Sequence, residues 1–142
     1  MKYDDASWHY GGDFPKDLPV EAGATHIGMF FAWAVLSDLA GEIHTEEMPA
    51  DIERLKSRSN TPRTLFLQMC DGKFTDDDLN EEGNAFAQAY YISETNVYYS
   101  DYERTLGVGL PGLYYVKDSW ETFGTLKPVL DKRFADWRKL QG

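Results

Sequence analysis

Between Ala24 and Ala40 the chain carries apolar side chains around most of a helix. Ile27, Phe30, Phe31, Ala34, Val35 and Leu39 recur at the i, i+3, i+4 spacing, and Met29, Trp33 and Leu36 fill a second face. A helix with so little polar surface has no solvent side, so other elements must surround it. Thr25 is placed to cap its start and Gly41 to end it, which gives about four turns. With 142 residues, the chain can bury about two-thirds of its unfolded surface around one such core.

The flanking sequence supplies the shell. Pro49 opens a short charged helix through Ile52 and Leu55, and Ser59 and Asn60 mark a turn. Thr61 and Pro62 then read as an N-cap and a first helical residue, leading through Leu65, Phe66 and Met69 to Gly72. Ala85–Ile92 and Tyr98–Leu106 show helical patterns, the second with Tyr98, Tyr102 and Leu106 on one side. Ser119 caps a last helix with Leu126, Leu130, Phe134, Trp137 and Leu140 in one stripe, where Pro128 fits only a helix start or a kink. Leu113–Val116, after Leu110-Pro111-Gly112, reads as a short strand or an extended connection. Residues 1–23 hold Gly11, Gly12, Pro15, Pro19 and Gly23, which predicts an irregular arm. Tyr3, Trp8, Tyr10 and Phe14 would be costly to leave in water, so the arm packs on the core. The expected fold is mainly α: a compact single-domain helical bundle over residues 1–142, with an irregular N-terminal arm and room for one short strand pair.

Charge narrows the partners. The chain has a formal net charge of −10, concentrated in Asp71–Asp101, where Asp71, Asp76, Asp77, Asp78, Glu81, Glu82, Glu94 and Asp101 face only Lys73. Such an excess repels nucleic-acid phosphates. The locally basic Lys127–Lys139 reads as a solvated helix face. Acid next to amphipathic rings suggests a surface for a basic protein, with Asp76, Asp77, Asp78, Glu81, Glu82, Tyr98 and Tyr99 as candidate contacts. The plainer account is that Thr75 and Asp78 form a capping box, the acids suit a helix N-terminus, and many of the tyrosines are packing residues.

The lone Cys70 has no disulfide partner and sits in an apolar helical pattern, which reads as core in a reducing compartment. The N-terminus lacks the basic start and apolar run of a secretory signal, and Ile27–Leu36 falls short of the ~20 residues that cross a bilayer. A cytoplasmic protein without a membrane partner is expected.

Catalytic signatures are missing. Three scattered histidines, His9, His26 and His44, lack zinc-motif spacing. Asp76, Asp78 and Asn80 alternate as in a calcium loop, but Glu81 stands where that loop needs glycine and Ala87 where it needs glutamate. No serine lies in a nucleophile elbow, and Gly107-Val108-Gly109 is not a phosphate loop. The expectation is therefore no catalytic residue, no metal and no cofactor. One constellation stands apart: Asp4, Asp5, Trp8 and His9 in the arm would meet His26 if the arm folded back on the central helix, forming a His/Asp pocket. Its plainer reading is that Asp5 and His9 hydrogen-bond the turn and tie the arm down.

Three segments resemble an uncharacterised bacterial family of small stand-alone proteins: Y-D-D-A-S-W-H-Y-G-G-D-F-P at Tyr3–Pro15, A-T-H-I-G-M-F-F-A-W at Ala24–Trp33, and D-G-K-F-T-D-D-D-L-N-E-E-G-N-A-F-A-Q-A-Y-Y at Asp71–Tyr91. The resemblance covers nearly the whole chain and implies a bacterial, cytosolic protein, with no activity or site residue to carry over. Size and charge are similar to those of immunity proteins that neutralise toxins. The leading expectation is thus an acidic protein-binding module, an immunity-type inhibitor covering a basic cleft of a bacterial toxin. The alternative is a small enzyme or ligand-binding domain using the His/Asp pocket. A third is a homo-oligomer in which the acidic face meets the Lys127–Lys139 helix of another copy.

Overall fold

Helix α1 (Thr25–Leu36) is the central element the apolar pattern requires, with every residue from Thr25 to Val35 buried. In the computed structural model, which describes residues 1–141, the shell around it comprises β1 (Lys2–Asp5), α2 (Glu42–Thr45), α3 (Pro49–Lys56), α4 (Pro62–Cys70), β2 (Lys73–Thr75), α5 (Glu81–Tyr90), α6 (Val97–Leu106) and α7 (Trp120–Gln141). Short 3₁₀ turns at Ala6–His9, Val20–Ala24, Asp76–Asp78 and Leu113–Tyr115 join them. The fold is mainly α. None of the described helices is long and apolar enough to cross a membrane.

α1 is a turn shorter than its sequence pattern suggests. The Ser37 N–H bonds back to Trp33 and Ala34, and Asp38 takes a left-handed φ of 63°, so the chain leaves the helix before Gly41. Gly41 instead precedes α2 as its N-cap residue. Thr25 does not cap α1, because the preceding 3₁₀ turn runs straight into the helix; its hydroxyl accepts from Arg63 at 3.2 Å. α4 lies closest to α1, and the approach depends on Gly28: a Cβ there would stand 2.9 Å from the Arg63 Cα.

The strand pair lies elsewhere than expected. Leu113–Tyr115 is a 3₁₀ turn, whereas the first residues of the arm form β1 and pair antiparallel with β2 in the register Lys2↔Thr75, Asp4↔Phe74 and Asp5↔Lys73. Tyr3 drives the pairing by packing edge-on against Phe74 at 5.4 Å and donating to Asn84 Oδ1 at 2.6 Å. A register irregularity between Lys2 and Asp4 accompanies a run of burial, Tyr3 to Asp5, in place of strand alternation.

Opposite the strands, α7 closes the core with Phe123, Leu126, Leu130 and Phe134, and Asp131 accepts from the Trp33 indole at 2.9 Å. Leu140, expected in that stripe, is exposed. Pro128 lies inside α7 rather than at its start, so its ring removes one helical donor, the bond to the Gly124 carbonyl four residues earlier. Asp101 on α6 ties three helices together, accepting from Tyr90 on α5 at 2.7 Å and from Arg133 on α7 at 2.8 and 3.0 Å.

Candidate functional site: a buried His–Asp–Tyr centre

The β1–β2 pairing carries Asp4 to the N-terminal end of α1. After it the chain turns sharply, because Asp5 Oδ1 accepts from the Ser7 amide at 2.9 Å and the Ser7 hydroxyl at 2.8 Å, capping the 3₁₀ turn Ala6–His9. That turn folds His9 back over Asp4, with His9 Nε2 2.8 Å from Asp4 Oδ1. His26, in the first turn of α1, closes the group: its Nε2 is 3.4 Å from Asp4 Oδ2, and its ring stands perpendicular to that of His9 at 4.6 Å. One donor atom each of Asp4, His9 and His26 lies within 4.8 Å of the other two.

Three tyrosines surround the carboxylate and the imidazole. Tyr91 and Tyr99 donate to Asp4 Oδ2 at 2.7 and 3.0 Å, and the Tyr114 hydroxyl is hydrogen-bonded to His9 Nδ1 at 2.6 Å. Asp4 also accepts the Asp5 amide at 2.8 Å. Burial by itself would raise the Asp4 pKa, but His26, His9 and the Tyr91 hydroxyl outweigh it and hold the carboxyl well below its ordinary range. Burial depresses the His26 pKa, with the Asp4 carboxylate 3.4 Å away acting against it. Burial and then the Asp4 charge push Tyr91 and Tyr99 upward, which keeps both hydroxyls protonated as donors. His26 is the exception in this bonded network: it is 1% exposed, and both its ring nitrogens are buried without a hydrogen-bond partner.

Of the five arm and helix residues singled out by the sequence, Asp4, His9 and His26 therefore converge. Asp5 serves the turn and is bonded to Lys2 Nζ at 2.8 Å. Trp8 points away, 59% exposed, with the Lys2 ammonium over its ring. Tyr91, Tyr99 and Tyr114 belong to the site and were not among those five.

The acidic set disperses. Tyr98 is wholly buried and donates to the His26 carbonyl at 2.5 Å, so it is a core residue and not a surface contact. Tyr99 is half-buried and turned to Asp4. Asp78 is buried, accepting from the Thr75 amide and from His44 Nε2, each at 2.8 Å. Asp76 meets the Met1 amino group, and Glu82 forms two bonds with Arg138. Asp77 and Glu81 remain on the surface. The calcium-like alternation does not converge either, since Asn80 Oδ1 caps α5 through the Gly83 amide at 2.8 Å. Along Lys127–Lys139 the cations are largely paired within the chain: Lys127 with Asp131, Lys132 with Asp136, Arg133 with Asp101 and Arg138 with Glu82.

The chain is a mainly helical protein with an acidic surface and a histidine–carboxylate centre buried under its N-terminal strand. It belongs to the family described as domain of unknown function DUF7832, whose model matches residues 2–116. That span contains Asp4, His9, His26 and all three tyrosines of the centre, and stops before α7. No curated protein and no solved structure matches the chain.

Proposed function

We propose that the protein is a small metal-binding domain that holds a divalent ion, zinc in the first place, between Asp4, His9 and His26. The observation that carries this reading is His26, a buried imidazole whose Nε2 stands 3.4 Å from Asp4 Oδ2 and neither of whose ring nitrogens makes a hydrogen bond. Leaving such a group unpaired costs about 1–3 kcal/mol, which a ligand bond would offset. Two imidazoles and a carboxylate suit zinc and leave a coordination position open for water or substrate. Donors on a tetrahedral zinc lie about 3.3 Å apart; His9 Nε2 stands 2.8 Å from Asp4 Oδ1, His26 Nε2 stands 3.4 Å from Asp4 Oδ2, and the three donor groups lie within 4.8 Å of one another. Tyr91 and Tyr99 orient the carboxylate and Tyr114 takes the far nitrogen of His9, the outer bonding that fixes ligand geometry. On metal binding the His9 Nε2 lone pair turns to the ion, and Nδ1–H donates to Tyr114. Competition with a chromophoric chelator tests this: the chelator-stripped chain should bind zinc, and His26→Leu should remove the binding at this centre. Equal zinc uptake by both would sink the reading.

A second reading, the immunity-type module in a bacterial cytoplasm, is favoured by a separate observation. Glu42, Glu47, Asp77 and Glu81 line an open hollow beside Ile43, and among the described residues none of the four meets a cation within ion-pair distance. A basic toxin would find there both charge and an apolar contact. Reversing Asp77 and Glu81 to lysine should then weaken capture of the basic partner and reduce its salt dependence; unchanged affinity would exclude this surface.

A further inference from the structure

We infer a second metal site of different chemistry at His44, Cys70 and Asp78, one that takes zinc(II) through a cysteine thiolate. It does not depend on the Asp4 centre. Its residues come from three elements that the fold gathers: His44 from α2, Cys70 from the last position of α4, and Asp78 from the 3₁₀ turn after β2. One donor atom of each lies within 4.8 Å of the other two.

The geometry is close to what the ion requires. Cys70 Sγ is 3.5 Å from Asp78 Oδ1, and sulfur and oxygen ligands of a tetrahedral zinc stand about 3.5 Å apart. His44 Nε2 is 2.8 Å from the same oxygen and has only to withdraw by about 0.5 Å to take a ligand position. The second Asp78 oxygen is held by the Thr75 amide, which fixes the carboxylate from behind. His44 is fully buried, and ligation through Nε2 would place its ring proton on Nδ1. An open hollow of about 310 Å³ reaches His44, Cys70 and Asp78 from the surface, which gives the ion an entry path and leaves room for a fourth ligand.

A nucleophilic role for Cys70 is disfavoured by the same contacts. The group touching Sγ is the Asp78 carboxylate, not the imidazole, so no base is aimed at the thiol. A dication changes that balance, because thiolate and carboxylate then face a shared positive charge, and the thiol proton leaves to solvent. The bound ion would pin the acidic turn to α2 and α4.

Cobalt(II) is the probe, because a thiolate ligand produces a near-ultraviolet charge-transfer band that nitrogen and oxygen ligands do not. The chelator-stripped full chain, titrated with cobalt, should develop this band to saturation within two equivalents, since the Asp4 centre shares the ion, and lose it on addition of zinc. Cys70→Ser should abolish the band while cobalt still binds at the Asp4 centre. His44→Gln should weaken cobalt binding at the thiolate site by at least about ten-fold, and His26→Leu should leave the band unchanged. A folded wild-type chain with no band at excess cobalt overturns the proposal. So does a band whose affinity is indifferent to His44→Gln, since that would be adventitious binding to the thiol. Either result leaves the Asp4 centre standing, and loss of metal at that centre alone leaves this site standing.

Discussion

Replacing His26 with leucine separates an ion-binding centre from a merely structural one, because the two predict opposite signs with and without metal. In the metal-free chain, leucine removes a fully buried imidazole whose two nitrogens are unbonded. Each unsatisfied buried group costs about 1–3 kcal/mol, and leucine fills a comparable volume with apolar atoms. Asp4 loses a neighbour at 3.4 Å but keeps the Asp5 amide, His9, Tyr91 and Tyr99. The expected result with a chelator present is a stabilisation of about 1 kcal/mol, a rise in Tm of roughly 3 °C. With zinc at about 100 times its Kd, the unsubstituted centre gains ~2.7 kcal/mol by linkage and the variant gains none. The order then inverts, and His26→Leu melts below its parent by roughly 5 °C. Both chains are best compared in a Cys70→Ser background, so that only one centre responds, by thermal melts followed by circular dichroism. If zinc raised both chains equally, or if leucine destabilised the metal-free protein by more than about 1 kcal/mol, the reasoning would be refuted.

Asp101→Asn should cost about 2 kcal/mol in urea unfolding with an unchanged m-value, less than the ~3–5 kcal/mol for breaking a sealed ion pair, because Arg104 and Arg133 are 68% and 43% exposed and can turn to water; a loss under about 0.5 kcal/mol would show the three-helix tie to be dispensable. The difference should also depend on pH. Burial acts to raise the Asp101 pKa, but Arg133, Tyr90 and Arg104 outweigh it and keep it below its ordinary value. A depressed carboxyl stabilises fully above its unfolded pKa of about 3.9, and that contribution fades as pH falls through the lower folded value. The gap between parent and variant should accordingly shrink in acid, and a gap that widened would contradict the assignment. Gly41→Ala should lose about 2 kcal/mol or more by overpacking, since its Cβ would fall 2.4 Å from the Asp77 carbonyl oxygen and 3.0 Å from that of Leu79; a melt equal to the parent's would mean that the turn bearing Asp78 yields freely.

Helices were legible in the sequence wherever periodicity was long. The apolar wrapping of α1, the Thr61-Pro62 start of α4 and the Tyr98–Tyr102 side of α6 all follow from spacing and caps, and each element is found where those signals lie. The strand pair was hidden because its two members are four and three residues long and about seventy residues apart, with Asp4 and Asp5 as poor strand formers. Where Tyr98 and Tyr99 point was equally out of reach: as neighbours on α6 they diverge by about 100°, which sends one to the His26 carbonyl and the other to Asp4. Asp4, His9 and His26 could be named because a folded-back arm is short enough to bring them together. Tyr91, Tyr99 and Tyr114 carried no signal distinguishing a hydroxyl aimed at a carboxylate from a ring that packs. His44, Cys70 and Asp78 have no motif spacing, since three separate elements assemble them.

Crystals grown with zinc and measured at the zinc absorption edge would place the ion directly. The metal-binding assignment predicts an anomalous peak bonded to Asp4, His9 and His26 at about 2.0–2.2 Å, with the Tyr114 hydroxyl still on His9 Nδ1. Zinc bound only elsewhere on the chain, with the His26 nitrogens still unpartnered, would contradict it.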